Sequence, residues 1–477
     1  MERGNGRGST RLTDAAVGGS VVFAGEPGFE AVGAGYQTRR RHRPDVVVTA
    51  ANAEDVVTAV EFAAARDVPV AVQCTGHALA AVAGEGGVLI DTSRMNGFRI
   101  DPAERTVHLA AGVRWGAVIR RAARYGLAPL SGSAPDIAAV PYTLGGGLGL
   151  LARQFGYAAD LVRELDVVTP DGRRRRVTAT RDADLFWALR GGRDNFGVVV
   201  GMEMALLPVR SLYGGGLYFA PTSAEQVFHH YCEWTRRVPP ELSSSLALVS
   251  LPDVPAVAEP LRGRRVVHLR LAYNGPPGEG RELIAGFRAI GPLLDTVAEM
   301  PFTASASIYN EPGPGAFEAT NILLGPIGDD LIGRLLDTAG PAADLPNMVE
   351  LHHLGGRLAE PPVIGSAVGY RDAEFLLLMA SRGDERRLDA ARSAHRELVE
   401  SMWPWWTGGR CLNFLTCDAD PEMVRSCYAA ADYQRLRQIK ARVDPRNLFR
   451  HNHNIPPVGN FRAARNLPPV ASGAADG

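Results

Sequence analysis

A histidine set behind a glycine and a short apolar run is the residue of this chain best placed to do chemistry. Val68-Pro69-Val70-Ala71-Val72 reads as a strand, and Gly76-His77 follows it in a tight turn at the lip of a sheet. Neutral imidazole is a competent nucleophile near pH 7, because its reference pKa is about 6.5. Such a side chain can bond an electrophilic cofactor carbon, although a histidine after a strand is as often an ordinary hydrogen-bonded residue. The second landmark is Leu144-Gly145-Gly146-Gly147-Leu148-Gly149. Gly147 to Ala152 fits the G-x-G-x-x-A dinucleotide pattern. That pattern wants a buried strand directly before it, and Pro141 breaks the residues upstream. Three readings stand: a plain glycine turn, a Rossmann turn, or a backbone wall that lets a flat ring or a diphosphate approach closely and offers it N–H donors. Together the histidine and the glycines point to a redox cofactor carrying a diphosphate.

Other chemistries find little support. The remaining histidine pairs, His229-His230, His352-His353 and the alternating His451 and His453, have no carboxylate or cysteine at metal-ligand spacing, so no metal site is expected. No Ser-His-Asp arrangement can be argued. The 51 basic and 52 acidic residues nearly cancel to a net charge of −1, which gives no field to gather nucleic acid or an anionic membrane. Lys440 is the only lysine. Five cysteines, none in a Cys-x-x-Cys pair, read as reduced thiols in a cytoplasm. No stretch approaches the ~20 apolar residues of a membrane span. Ser20 to Ala24 is short for a signal sequence and reads as a first strand.

The elements that must position these residues follow from periodicity. Ala53 to Asp67 reads as an amphipathic helix with Asn52 as its cap. Thr106 to Ala111 is a strand, and Trp115 to Tyr125 a helix ended by Gly126. Leu165 to Thr169 and Arg173 to Thr178 form a hairpin around Asp171-Gly172, with the four arginines 173–176 on its solvated arm. A boundary is expected near Pro208 to Gly216, where Gly214-Gly215-Gly216 reads as a turn after a strand. Beyond it, helices over Ser223–Arg237 and Glu279–Gly291 alternate with strands over Val266–Tyr273 and Phe375–Ala380. Tyr433 to Arg442 is a last helix before Asp444-Pro445. The fold class is α+β.

An ordered set of short motifs then resembles a known family. Val72 to His77, Leu89 to Asn96, Val107 to Trp115, Ala134-Pro135-Asp136-Ile137, Leu144 to Gly149, Arg190-Gly191-Gly192 with Asn195 to Val199, and finally Asp444 to Arg450 with Asn452 to Pro456 resemble the berberine-bridge-enzyme-like oxidoreductases. These belong to the vanillyl-alcohol-oxidase superfamily with a PCMH-type FAD-binding domain. The resemblance implies bound FAD, with residues 18–208 and 413–458 forming the flavin domain and 209–412 a substrate domain, an antiparallel sheet backed by helices. Residues 1–17 and 459–477 would be flexible tails. It further implies that His77 bonds the flavin 8α-methyl carbon and that Cys74, Thr75 and Gly76 form the diphosphate loop. Gly145, Gly146, Gly147, Asn195, Gly197, Val198 and Val199 would line the dinucleotide, Asn452 would return to the flavin, and Tyr142 would stand near the isoalloxazine edge.

Three departures from the family matter. Relatives often hold the flavin by a second, cysteinyl bond just before a proline, and Ala134 occupies that place, so His77 alone would carry the cofactor. Ile137 stands where many oxidases have valine, which leaves the electron acceptor open between oxygen and another oxidant. Cys411 replaces the tyrosine of a Tyr-x-Asn motif, so the usual phenol base is gone. Tyr370, beside Arg371 that would depress its pKa, is the first substitute, and Cys411 the second; Tyr309 and Glu311 are further candidates for substrate contact. The expected activity is hydride transfer from a small alcohol, amine or phenolic metabolite to flavin N5, as a tailoring step in bacterial secondary metabolism. A flavin-dependent cyclase and a non-catalytic flavin-binding protein are the rival readings. Oligomeric state is silent.

Overall fold

The structure is a computed structural model and describes residues 12–13, 17–32, 35–77, 86–340, 347–416 and 419–459. Three sheets organise it. The first has the order β1-β2-β4-β3, from Ser20–Phe23 (β1), Val46–Thr49 (β2), Val70–Gln73 (β3) and Val88–Asp91 (β4). β4 runs parallel to both β2 and β3, so the β3 C-terminus and its turn emerge at one edge. Parallel strands buried on both faces read as continuous apolar runs, and all four residues of both β2 and β4 are buried. The helix Ala53–Arg66 covers this sheet, capped as expected by Asn52, whose side chain accepts from Glu54 N and Asp55 N.

A second, antiparallel sheet has the order β5-β6-β9-β7-β8, from Phe98–Asp101 (β5), Thr106–Ala110 (β6), Val162–Val168 (β7), Arg174–Thr178 (β8) and Val198–Ala205 (β9). β7 and β8 form the Asp-Gly hairpin, and Arg174 and Arg176 spend their charge on Asp166 and Glu164 at its surface. The helix Trp115–Ala122 ends through a 3-10 turn at Gly126, which takes the left-handed conformation (φ 69°).

The third sheet is wholly antiparallel: Ser211–Phe219 (β10), Leu242–Ser250 (β11), Arg265–Tyr273 (β12), Leu294–Asp295 (β13), Ala298–Pro301 (β14), Phe317–Leu324 (β15), Met348–His353 (β16) and Phe375–Arg382 (β17). Its order is β13-β10-β12-β11-β16-β17-β15, with β14 also on β10. Leu217, Leu246, Leu269, Leu351 and Leu377 share the face packed under the helices Ala224–Thr235, Asp329–Ala339 and Glu385–Ser401. The alternate residues form the opposite face, where Ser245, Arg270 and Glu350 are buried.

Two expectations are corrected here. Gly214-Gly215-Gly216 is no turn: all three lie inside β10. A Cβ at Gly216 would sit 2.2 Å from His268 Nε2, and one at Gly215 would sit 2.5 Å from Thr296 O, so glycine is there for neighbours that only the fold supplies. The helix expected over 279–291 is two short ones, Pro277–Leu283 and Ala285–Ile290, broken at Ile284.

The last described segment joins the first two sheets. Leu448 and Phe449 are buried in the core under β1 to β4, and Val70 N donates to Leu448 O. Ile455 N donates to Asn195 Oδ1.

Candidate functional site

β3 delivers the chain into the turn Cys74 to His77. Gly76 has φ 62°, and a Cβ there would lie 2.6 Å from Gly35 Cα, so the turn needs glycine on both counts. Tyr36 N and Gln37 N donate to Thr75 O and Gly76 O and fix the turn from the side. The His77 ring stacks on Tyr36, and its Nδ1 lies 3.1 Å from Thr75 Oγ1. Nε2 is buried without a hydrogen bond among the described residues. Burial first, then the nearby Arg114, pushes the imidazole down to about 4. It is therefore neutral, with a lone pair to give, across the physiological range.

A continuous cleft opens from this turn. Cys74, Thr75, Gly76 and His77 form one wall, and Ile137, Tyr142 and Leu148 another. Arg193, Asp194, Val199, Asn413 and Phe414 line it further, with His42 and His451 also on its wall. Arg193 Nη2 donates to Asn413 Oδ1 (3.0 Å), and Asn413 Nδ2 donates to Tyr142 O (3.0 Å). Trp115 meets the Tyr142 ring edge-on at 5.8 Å. Burial raises the Tyr142 phenol well above 10 and lowers the Arg193 guanidinium.

Four buried polar atoms on this one cleft, His42 Nδ1, His77 Nε2, Tyr142 OH and Arg193 Nε, have no hydrogen-bond partner among the described residues. Buried polar groups are normally satisfied, and each exception calls for a reason. A long cofactor with a flat polar ring supplies one: it gives acceptors to the guanidinium and phenol and presents a carbon to the imidazole. The residues present fit FAD.

The remaining site residues divide. Ile137 lines the cleft, and Ala134, buried and without a thiol, stands just outside the lining. Gly145, Gly146 and Gly147 do not form the expected wall. A Cβ at Gly145 would fall 1.7 Å from Asn413 Oδ1, and one at Gly147 would fall 2.7 Å from both Tyr142 Cε1 and Ala158 Cβ. The glycines instead make room for the residues that line the cleft. The run follows the helix Ala139–Leu144 rather than a strand, so it is no Rossmann turn either. Asn195 spends its side chain on protein, donating to Gly192 O and His453 O and accepting from Ile455 N. Gly197 (φ 144°) packs against Val168 O, and Val198 is buried in the core, leaving Val199 alone of that stretch on the cleft. Asn452 lies behind His451, with its Nδ2 on Phe449 O.

The two substitute bases are corrected by their surroundings. Arg371 does not depress Tyr370, because its guanidinium is committed to Asp160 at 2.7 Å. The Tyr370 hydroxyl donates to Tyr428 O, burial raises its pKa, and the ring is outside the cleft lining. Cys411 is half-buried, and burial pushes its thiol up to about 11, too high for a base at neutral pH. Cys74 is likewise pushed up to about 11 by burial. Sequence reasoning missed Tyr36, His42, Arg193 and Asn413. Only Asn413 had a local signal, as the asparagine of the altered Tyr-x-Asn motif. Among the described residues no group of three histidine, cysteine or acidic side chains is placed to hold a metal, and no helix is long and apolar enough to cross a membrane.

Comparison with known proteins agrees with this geometry. The FAD binding domain family matches residues 44–178, which carry the His77 turn, and the "Berberine and berberine like" family matches 412–456. The chain is 30% identical over 219 residues to (R)-6-hydroxynicotine oxidase of Paenarthrobacter nicotinovorans, covering 46% of this chain and 48% of that one, so it spans about half the length of that relative. It is 26% identical over 352 residues to an FAD-linked oxidoreductase of Dictyostelium discoideum, covering 71% of this chain and 73% of that one. Among solved structures, a BBE-like protein of Physcomitrella patens superimposes with a TM-score of 0.81 at 20% identity, over 94% of this chain and 98% of that one. The 6-hydroxy-D-nicotine oxidase of Arthrobacter nicotinovorans gives 0.76 at 22%, over 92% and 98%. At such identities the two structures speak for the fold. The chain thus carries a match to the FAD binding domain and a berberine-like C-terminal segment, and is similar to FAD-linked oxidoreductases.

Proposed function

We propose that the protein oxidises a small alcohol, amine or phenolic substrate with an FAD bonded to His77 as its only covalent anchor. The observation that carries this reading is the His77 imidazole itself: neutral, stacked and unpartnered at Nε2 on the wall of a cleft inside the matched FAD-binding domain. Ala134 offers no second nucleophile.

Bound flavin supplies the two-electron acceptor. The chain's own residues do the rest. The Cys74 to Gly76 turn presents backbone to the cofactor, and its positive-φ glycine lets the chain approach closely. Arg193, positive and held in place by Asn413, faces the cleft, where it stabilises negative charge that develops during the reaction. Tyr142 offers its phenol as a hydrogen-bond donor and, with its raised pKa, keeps the proton. Ile137 lines the cleft, where its bulk would slow the approach of oxygen to the flavin.

The test is anaerobic bleaching of the flavin spectrum against a panel of alcohols, amines and phenols. Bleaching by one class, with acid-precipitated protein still yellow, supports the proposal. A protein that binds no flavin, or that releases all of it in acid, overturns the covalent anchor.

A further inference from the structure

The two ends of the cleft differ in chemistry. Toward the first sheet it is lined by the hydrogen-bonding groups of Gln73, Thr75 and Thr92. Toward the third sheet it is lined by Phe414, Leu148 and Tyr142. Phe414 and Leu148 pack behind on one apolar cluster, which includes Leu323, Leu354 and Leu376, and each is half-buried. Phe414 owes its place to backbone held from β15. It ends the 3-10 turn Leu412–Phe414, and the buried Asn321 clamps the residue before that turn on both sides, accepting from Cys411 N at 2.7 Å and donating to Cys411 O at 3.0 Å.

The polar groups at this end are mostly spent. Asn413 gives its amide N–H to Tyr142 O and its oxygen to Arg193. Ser133 donates to Glu311 at 2.8 Å. The Tyr142 hydroxyl and the Arg193 guanidinium remain, the latter with Nε unpartnered. Among the described residues no carboxylate lies within ion-pair distance of that guanidinium. The other charged residue of the lining, Asp194, is engaged by the Asn452 side chain. A guanidinium only donates. An ammonium ligand also only donates, and it would meet a like charge here. A sugar carries a hydroxyl on nearly every carbon and would leave most of them unpaired against Phe414 and Leu148. A flat ring with one hydroxyl has neither defect: its faces meet apolar and aromatic side chains, and its oxygen accepts from the free donors. We infer that the substrate is an aromatic alcohol or phenol, uncharged or acidic, and that Phe414 and Arg193 are the residues that select it. This rests on the flavin-enzyme reading above and narrows its substrate classes to one.

A ligand that binds the folded state raises Tm, so the test is the Tm of the flavin-loaded protein against 3-hydroxybenzyl alcohol, its saturated-ring analogue, benzylamine and cellobiose. The aromatic alcohol should act at the lowest concentration. Benzylamine or cellobiose acting at an equal or lower one overturns the inference, and so does an aromatic alcohol that never shifts Tm. Phe414→Leu keeps the apolar packing and removes the ring. It should raise the half-saturating concentration of the aromatic alcohol about tenfold, leave that of the saturated analogue in place, and retain its flavin. Arg193→Met should admit benzylamine. A ring preference that survives Phe414→Leu, or a rejection of benzylamine that survives Arg193→Met, overturns the assignment of that residue. Should a variant fail to fold, the ranking of the four compounds on the wild type decides alone. A protein without flavin sinks the oxidoreductase reading, whereas a flavin protein that ranks cellobiose or benzylamine first sinks this one alone.

Discussion

Tyr36 lies flat on His77, with ring centroids 3.9 Å apart and planes 12° from parallel. The Tyr36 hydroxyl donates to Pro312 O, in the turn that leads into β15. The His77 imidazole is thereby braced from the turn before β15. A stacked ring pair is worth about 0.5–1.5 kcal/mol beyond its burial, enough to decide which way the imidazole points. Tyr36→Leu removes stack and tether, and the share of flavin that stays with acid-precipitated protein should fall severalfold. Tyr36→Phe removes the tether only and should keep most of it. Full attachment in Tyr36→Leu, at the wild-type rate, would show that the stack does not orient His77.

Acid should destabilise this fold well above the range where carboxylates protonate. Burial holds His42, His395 and His451 at about 4 and His353 and His453 at about 3. Each folded-state pKa is lower than that of the unfolded chain, about 6.5. Between those values the unfolded state binds more protons, so stability rises with pH. The contribution is complete above about pH 6.5 and is lost as pH falls toward 4 and 3. Each unit of depression corresponds to about 1.4 kcal/mol, so the summed loss is large against a typical domain's stability. Tm measured from pH 8 to 4 should be flat at first and then drop steeply below about 6.5. A Tm that holds constant down to pH 4.5 contradicts the neutral buried imidazoles. His395→Gln, far from the cleft and hydrogen-bonded to Ser381, should flatten part of that slope.

The sequence carried the elements better than their neighbours. Asn52 is legible as a cap because its partners, Glu54 and Asp55, are two and three residues away. The reach of Arg193 to Asn413 spans 220 residues, and no local pattern announces it. The same holds for Gly216, whose missing side chain is explained by His268 on the adjacent strand. Tyr370 misled for a related reason. Its adjacency to Arg371 was visible, but Asp160, which takes that guanidinium, was not. Alternation in Val349-Glu350-Leu351-His352 announces a strand, yet only the register to Ser245 and the approach of Arg270 turn it into a charged face.

Ile137→Val should speed reoxidation of the reduced flavin by air. Ile137 lines the cleft within the turn Ala134 to Ala138, where Ile137 O accepts from Trp115 N and anchors the backbone. The substitution removes one methylene and leaves that anchor, so the cost in stability is about 0.5–1.5 kcal/mol or less. Stopped-flow mixing of reduced enzyme with oxygenated buffer reads the effect, expected as an increase of tenfold or more. An unchanged rate would place the oxygen barrier elsewhere and leave Ile137 a packing residue.

Lys440 is the only lysine of the chain, and its side chain is fully buried. Its ammonium donates to Asn195 O and Phe449 O and pairs with Asp444 at 2.8 Å, while Asp444 accepts from Leu448 N and Phe449 N. One charge pair thus clasps the returning C-terminal segment to the 193–196 turn, whose Arg193 enters the cleft. Removing one member of a buried pair costs about 3–5 kcal/mol, because the partner is left charged and unpaired. Lys440→Met should lower Tm markedly and weaken flavin retention together, since both segments border the cofactor cleft. The double variant Lys440→Met with Asp444→Leu should recover less than the charge argument alone predicts, because Asp444 also caps two backbone N–H groups. An amine-reactive ester should leave Lys440 unlabelled in the native protein and label it on unfolding. Rapid labelling of Lys440 in the folded state would mean the clasp is open, and the coupling of the C-terminal segment to Arg193 would have to be abandoned.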